Sequence, residues 1–419
     1  MPEPRPPSPP RASRRTPGNP RLRLLFLTLL GCWMLFPFLQ GDLLAEDAVP
    51  FVAVARVDVG QRGTVYSVTG GEAPPPAITA AGCPLAPPGT DCETHVLAFL
   101  SPPQVIPVMK VVSALGDTAS VLLLRLVAVA SLAGGLVVLW ARVAKDDPAA
   151  QLPLLVAAVL LTPFAYTSAV FGQSSPLLFL SACLGLTRTD RTDRAVGAAA
   201  VFVGTVVFKL FPLPLLLVAA VRRRWRFVAA ALGLLVALTI VTALLVPLSQ
   251  YGEFVDSTRA LTAQRVAYPW NISLDAFVHG AVGSWRTDGA VFLLSVVARV
   301  GAVVALAWWR LRDEDDDVIW SYGWVALLVI NPQIWWHYFA VLVPAVAYLV
   351  RRSGGRTPWS ITAAAAAVLP LAVVTDEGAL RVYGPVLALV AVIGLPFLAG
   401  RGAPGRGAAV VEPRRPAVA

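Results

Sequence analysis

The sequence predicts an all-α polytopic membrane protein, a bundle of transmembrane helices. Composition, hydropathy and the recurrence of long apolar runs carry that prediction. Of 419 residues, 57% are hydrophobic and only 14% charged, against roughly 25% charged residues in soluble domains. The mean hydropathy is +0.69. Apolar runs recur along the chain, and about 20 such residues cross a hydrocarbon core of about 30 Å as a helix.

Twelve spans are expected, at 24–40, 119–141, 152–170, 174–187, 195–208, 210–221, 227–248, 289–309, 318–331, 336–350, 358–374 and 383–400. An even number places both termini on one side. Of the 34 Lys and Arg, 24 fall in the tails and the alternate connections, among them Arg142, Lys145, Arg222 to Arg226 and Arg351 to Arg356. Basic residues mark the cytoplasmic face, so both tails are expected there. The opposite loops hold 14 of the 25 acidic residues and seven bases. The net charge of +9 is therefore read as a topology signal, and no nucleic-acid partner is expected.

Three regions follow: a disordered basic tail over 1–23, a transmembrane domain over 24–400 with outer loops at 41–118 and 249–288, and a disordered tail over 401–419. The first tail is rich in Pro and Arg, a composition unable to bury a core. Apolar residues continue past Leu30-Gly31-Cys32 to Leu39, which favours an uncleaved anchor over a cleaved leader. Residues 45–59 read as a short helix lying on the membrane, and 104–116 as a second amphipathic stretch leading into the next span. Cys32 and Cys183 read as packing residues. Cys83 and Cys92, in GCPLAPPGTDC, either staple the outer loop or stay reduced. No metal site and no cofactor are expected. The acidic run Asp313 to Asp317 reads as solvated charge on the cytoplasmic side.

Several spans are short. Residues 195–208, at 1.5 Å per residue, reach about 21 Å, and 210–221 is shorter still. Between them lies Lys209-Leu210-Phe211-Pro212. Interrupted helices inside a bilayer normally line a cavity, because their exposed backbone needs polar partners. Lys209 is an ammonium in an apolar stretch, which costs at least about 2.5–3.5 kcal/mol near the bilayer centre. Either it snorkels to the interface or it meets a phosphate. His337 follows Trp335 and Trp336 and either touches a ligand or bonds a carbonyl within an aromatic girdle. Gln173 either binds sugar or caps a turn. Arg125 and Arg299 are phosphate ligands or partners of buried acids. Glu46 and Asp47 either open an interfacial helix, where acids favour the first turn, or do acid–base work. No internal repeat is visible, which weighs against a transporter built from repeated halves.

A set of fragments, in order, carries a resemblance. DAVPFVAVARVDVGQRGTVY runs from Asp47 through Arg56 to Tyr66; SPP follows at Ser101 to Pro103; FGQSS holds Gly172 and Gln173. Then come FKLFP with Lys209, the tripeptide Asn271-Ile272-Ser273, and NPQIWWHY with Trp335 and His337. Together these are similar to glycosyltransferase family 87, enzymes of the glycosyltransferase-C type that take sugars from polyprenyl phosphates. Departures are Ser175 in place of an Asn, Tyr338 in place of a second His, and Phe and Val near residue 51 in place of Tyr.

The resemblance implies transfer of a hexose, mannose foremost, from a polyprenyl-phosphate donor to a glycolipid or glycan acceptor on the outer face of the cell membrane, with inversion. Such a reaction needs a base for the acceptor hydroxyl and cations or donors for the leaving phosphate. The motif positions make Asp47 the expected base, with Glu46, Arg56, Tyr66, Gln173, Lys209, Asn271, Trp335 and His337 expected to contact substrate. The alternatives are arabinofuranosyl transfer from decaprenyl-phosphate arabinose, and a transporter or flippase for a lipid-linked substrate.

Overall fold

The computed structural model describes residues 18–39, 47–60, 63–66, 74–85, 96, 99–186, 192–265, 270–282, 296–297, 299–301, 315–353 and 358–400. Every regular element among them is helical. Five helices are long and apolar enough to cross a membrane: Pro20–Leu39, Asp117–Ala144, Pro148–Phe171, Trp225–Leu245 and Glu377–Leu395. The chain is an all-helical membrane protein. Most of the span expected at 289–309, the tail 401–419 and Cys92 lie outside the described residues.

Helix α1 (Pro20–Trp33) starts earlier than the run of apolar residues alone indicates. Asn19 accepts a hydrogen bond from the Arg21 amide at 3.0 Å and Pro20 opens the first turn, a favourable start. The segment expected to be wholly irregular thus yields a helical turn before residue 24. After α2 (Phe36–Leu39) come α3 (Val49–Arg56), α4 (Pro76–Gly82) and α5 (Val105–Ser113), short helices in the first long connection. Cys83, just past α4, is disulfide-bonded, while Cys183 is buried as a free thiol.

Helix α6 (Asp117–Leu139) continues as a π-helical turn over Trp140–Ala144. Its 28 residues make it about 40 Å long, more than the thickness of a bilayer's hydrocarbon core. It packs closely on α9, where a Cβ at Gly135 would come within 2.6 Å of the Phe179 ring. Small residues that let helices approach are the common means of packing within lipid. The span expected at 152–170 is Pro148–Phe171, in which α7 (Pro148–Leu160) and α8 (Thr162–Phe171) meet at Leu161, itself in a right-handed helical conformation. Then follow α9 (Pro176–Leu184), α10 (Thr192–Phe208), α11 (Leu215–Val221) and α12 (Trp225–Leu245). The remaining helices are α13 (Ser249–Arg265), α14 (Leu274–Val282), α15 (Asp316–Ile330), α16 (Leu342–Arg352), α17 (Trp359–Val373) and α18 (Glu377–Gly400).

At the basic end of α6 the acidic run behaves differently from its sequence reading. Asp316 and Asp317 are 6% and 0% exposed, so these two carboxylates are not a solvated face. Asp317 pairs with Arg142 at 2.9 Å and Arg351 at 3.3 Å, and Asp315 with Arg351 at 2.9 Å. Asp316 lies between Arg222, 2.6 Å away, and Arg224. Arg223 between them takes a left-handed φ of 58° and turns outward, which lets residues two apart reach one carboxylate. Composition alone does not distinguish a free acidic run from one whose bases come from three other connections.

These pairs tie α6, α11, α12, α15 and α16 together at one end. Gly185, φ 63°, is required there: a Cβ would strike Asp317 Oδ1 and stand 2.6 Å from Arg142 Nη1. Removing one partner of a buried pair costs about 3–5 kcal/mol, because a bare charge remains. Asp317→Ala is expected to lower the thermal midpoint of the detergent-solubilised protein markedly, and Gly185→Ala to do so without removing any charge. A melt of either variant that overlays the wild type contradicts this account of the end cluster.

Candidate functional site

The site is assembled at the opposite end of α6, from connections and not from helix middles. Asp47 is half-buried and lies two residues before α3, whose Val52, Ala53 and Val54 are fully buried. Pro50 in its first turn suits the helix start. The far end of α3 is held by Arg56, which pairs with Asp117 and donates from Nη1 to the Ala81 carbonyl at 3.1 Å. Helix α3 is thus fastened to both α6 and α4.

The turn after α8 meets the start of α3. Gly172 adopts φ 68° and its amide donates to the Ser168 carbonyl at 3.0 Å. A Cβ there would stand 2.7 Å from the Ala48 Cβ and 3.7 Å from the Arg125 Cγ. Glycine is needed both for the left-handed turn and for the close approach. The residue after Asp47, the GQ turn and the buried Arg125 of α6 therefore share one place. Gln173 follows, its Oε1 buried without a hydrogen-bond partner, as is the Ser175 hydroxyl. Together with Phe51, Leu124, Val127 and Phe208, Gln173 lines a small, largely apolar hollow of about 20 Å³.

Phe51 lies one helical turn beyond Asp47, and its ring meets Phe208 edge-on at 5.2 Å. Phe208 ends α10, and Lys209 follows with its amide on the Thr205 carbonyl at 2.8 Å. The Lys209 ammonium stands 5.8 Å from the centre of the Tyr338 ring, within cation–π range. Phe211 stacks on the same ring at 5.1 Å, and His337 lies 4.8 Å from it. Both nitrogens of His337 are buried without a hydrogen-bond partner. Lys209, 128 residues before His337 in the chain, thus shares Tyr338 with it. Among the described residues, no carboxylate is ion-paired with Lys209.

Other expected contact residues are occupied in holding this arrangement. Asn271 is buried; its Nδ2 donates to the Pro332 carbonyl at 3.0 Å, and its Oδ1 accepts from the amides of Ser273 and Ile334 at 3.1 Å each. Ser273 donates to the same Pro332 carbonyl at 2.8 Å. The tripeptide thus fixes the segment that carries His337. Tyr66 is 1% exposed and donates to the Ser101 carbonyl at 2.8 Å, while the Ser101 hydroxyl donates to the Phe208 carbonyl at 3.0 Å. Burial, then Tyr251 and Glu253, push the Tyr66 phenol well above its ordinary range, so it stays protonated. The Trp335 carbonyl accepts from the Tyr338 amide at 2.9 Å, while Trp336 packs on Phe164 with ring centres 5.0 Å apart. Glu46 lies outside the described residues. Arg299 pairs with the buried Asp275, which settles one of the two roles open to it.

A cation without a paired carboxylate, an imidazole with both nitrogens unengaged and an apolar hollow beside them suit an amphiphile with an anionic head. The family model described as Glycosyltransferase family 87 matches residues 99–332, more than half of the chain. The chain belongs to this family, and it is a membrane glycosyltransferase. No curated protein and no solved structure matches it.

Phe51, Ser101 and Phe208 join the site from within the fragments that carry the resemblance, although none of the three is among the expected contact residues. Each is an ordinary apolar or small residue until the fold brings it to the hollow. Displacing α3 at its start tests the geometry directly. Gly172→Ala is expected to lower transfer about 10²-fold, the order reached by misplacing reacting groups by about 1 Å, with a much smaller change in thermal midpoint. Unchanged turnover contradicts the role of this contact.

Proposed function

We propose that this glycosyltransferase moves mannose from a polyprenyl-phosphate donor to a glycolipid or glycan acceptor on the extracytoplasmic face, with inversion at the anomeric carbon. The observation that carries the reading is the meeting of Lys209 and His337 at Tyr338, together with the contact of Phe208, next to Lys209 in the chain, with Phe51 of the helix that Asp47 precedes. Lys209 is the cation for the leaving phosphate, and His337 donates a hydrogen bond to it. Asp47 accepts the proton of the acceptor hydroxyl as its oxygen attacks the anomeric carbon from the face opposite the phosphate. The bond from that carbon to the phosphate oxygen breaks, and its electron pair leaves with the phosphate. The transition state is oxocarbenium-like, as in glycoside hydrolysis.

In this reading the bundle is of the glycosyltransferase-C type with twelve spans, some short or re-entrant. Both termini face the cytoplasm and the buried ion cluster of Asp316 and Asp317 lies at that side. The apolar hollow beside Gln173 takes the part of the lipid next to the phosphate. Gln173 and Glu46 bind the sugar, and Trp335 walls the pocket. Arg56, Tyr66 and Asn271 act on substrate through the backbone they hold.

Membranes carrying the protein, supplied with polyprenyl-phosphate [³H]mannose, provide the test. A general base contributes about 10² to 10⁴ in rate, so Asp47→Asn is expected to lose transfer by that factor while Glu46→Gln keeps most of it. Lys209→Met is expected to weaken both donor affinity and turnover. Full activity in Asp47→Asn overturns the assignment of the base. Label incorporated only from polyprenyl-phosphate arabinose replaces the sugar and keeps the mechanism.

A further inference from the structure

Helix α13 buries the wrong kind of residue for a purely structural helix. Its inward stripe is Gln250, Glu253, Phe254 and Ser257, at the i, i+3, i+4 and i+7 spacing of one face. Three of the four are polar, and Gln250, Glu253 and Ser257 are 0%, 7% and 2% exposed, while Val255 on another face is 43% exposed. Glu253 accepts from the Gly63 amide at 2.8 Å through Oε2. Its Oε1 is buried without a partner, as are both the Nε2 and Oε1 atoms of Gln250. Each such atom costs about 1–3 kcal/mol when nothing answers it, so three on adjacent turns are a large penalty for a helix to carry without use.

We infer that Gln250 and Glu253 form a second carbohydrate subsite, which holds a sugar ring of the acceptor away from the point of transfer. The chemistry selects the ligand class. An amide offers two donors and an acceptor, and a carboxylate offers acceptors only; neighbouring hydroxyls of a neutral sugar match both. The charge of Glu253 repels an anion. A bound metal ion needs more ligands, and no group of three or more His, Cys, Asp or Glu able to hold one is present among the described residues. A run of rings joins these buried polar residues to the transfer site: Phe208 to Phe51 at 5.2 Å, Phe51 to Phe99 at 5.9 Å, Phe99 to Tyr66 at 5.7 Å and Tyr66 to Phe254 at 5.6 Å. The subsite lies at the far end of that run, where a second or third sugar of a glycan acceptor would reach. The inference rests on the transferase reading given above for the identity of the ligand as an acceptor.

The test uses the full chain in detergent, with methyl α-D-mannopyranoside as the probe and binding read by ligand-observed NMR and by thermal midpoint. Wild type is expected to bind the probe saturably. Gln250→Leu is expected to weaken binding at least about tenfold, the scale of one lost hydrogen bond to a buried polar group, and to melt higher than wild type without ligand, because the unanswered amide is gone. Glu253→Gln retains an acceptor for Gly63 and is expected to weaken binding by a similar factor. Absence of probe binding to the wild type overturns the subsite. So does unchanged affinity in Gln250→Leu, and a lower midpoint in that variant then marks the amide as a structural strut. Wild type that binds the mannoside but transfers nothing from polyprenyl-phosphate mannose overturns the donor assignment alone.

Discussion

The left-handed turn at Gly172 is the contact on which the rest of the site hangs. It closes α8, aims Gln173 into the hollow and leaves so little room that the chain before α3 must pass within van der Waals distance of it. Position 47 is fixed by that passage. Arg56 fastens the other end of α3 to Asp117 and Ala81, so the short helix is clamped at both ends against α6 and α4. A carboxylate on so short a helix has few packing contacts of its own to hold it, and here the holding comes from the neighbours.

The opposite end of the molecule works by a different physics. There, carboxylates of α15 are buried among arginines of four other segments, and the carbonyl of Cys183 accepts from the Tyr348 hydroxyl. In a bilayer, apolar packing gives helices little reason to prefer one neighbour to another. Buried ion pairs add direction, since a misplaced helix leaves a charge without its counter-ion. The aromatic cluster of Phe202, Phe227, Trp320 and Trp324 fills the space above that cluster. One end is thus locked by charge, and the other is left to shape a binding site.

Much of this was legible in the sequence because the bilayer permits few solutions. Long apolar runs forecast α1, α6, α12 and α18, and the interruption at Lys209 forecast a broken pair of helices. The motif residues Gln173, Lys209 and His337 could be named, since polar groups amid apolar ones stand out. What could not be read was which polar residues face a ligand and which face the backbone. Asn271 and Tyr66 have the composition of binding residues, yet their hydrogen bonds go to Pro332, Ile334, Ser273 and Ser101. Asp316 and Asp317 were misread for the converse reason: their partners come from connections far away in the chain, and no local pattern announces them. The polar stripe of α13 escaped notice because its residues look suited to solvent until burial is known.

The run of rings from Phe208 to Phe254 has a mechanical consequence. Five aromatic side chains interlocked across three stretches of chain form a stiff beam, and the long connection that supplies Phe51, Phe99 and Tyr66 is part of it. A cover built this way does not swing open like a flap. Under the proposed function, a lipid-borne donor would slide in sideways from the surrounding leaflet, past the partly exposed Val127 at the rim of the hollow, while a water-borne reactant would come from above. The two reactants would meet without ever sharing a doorway.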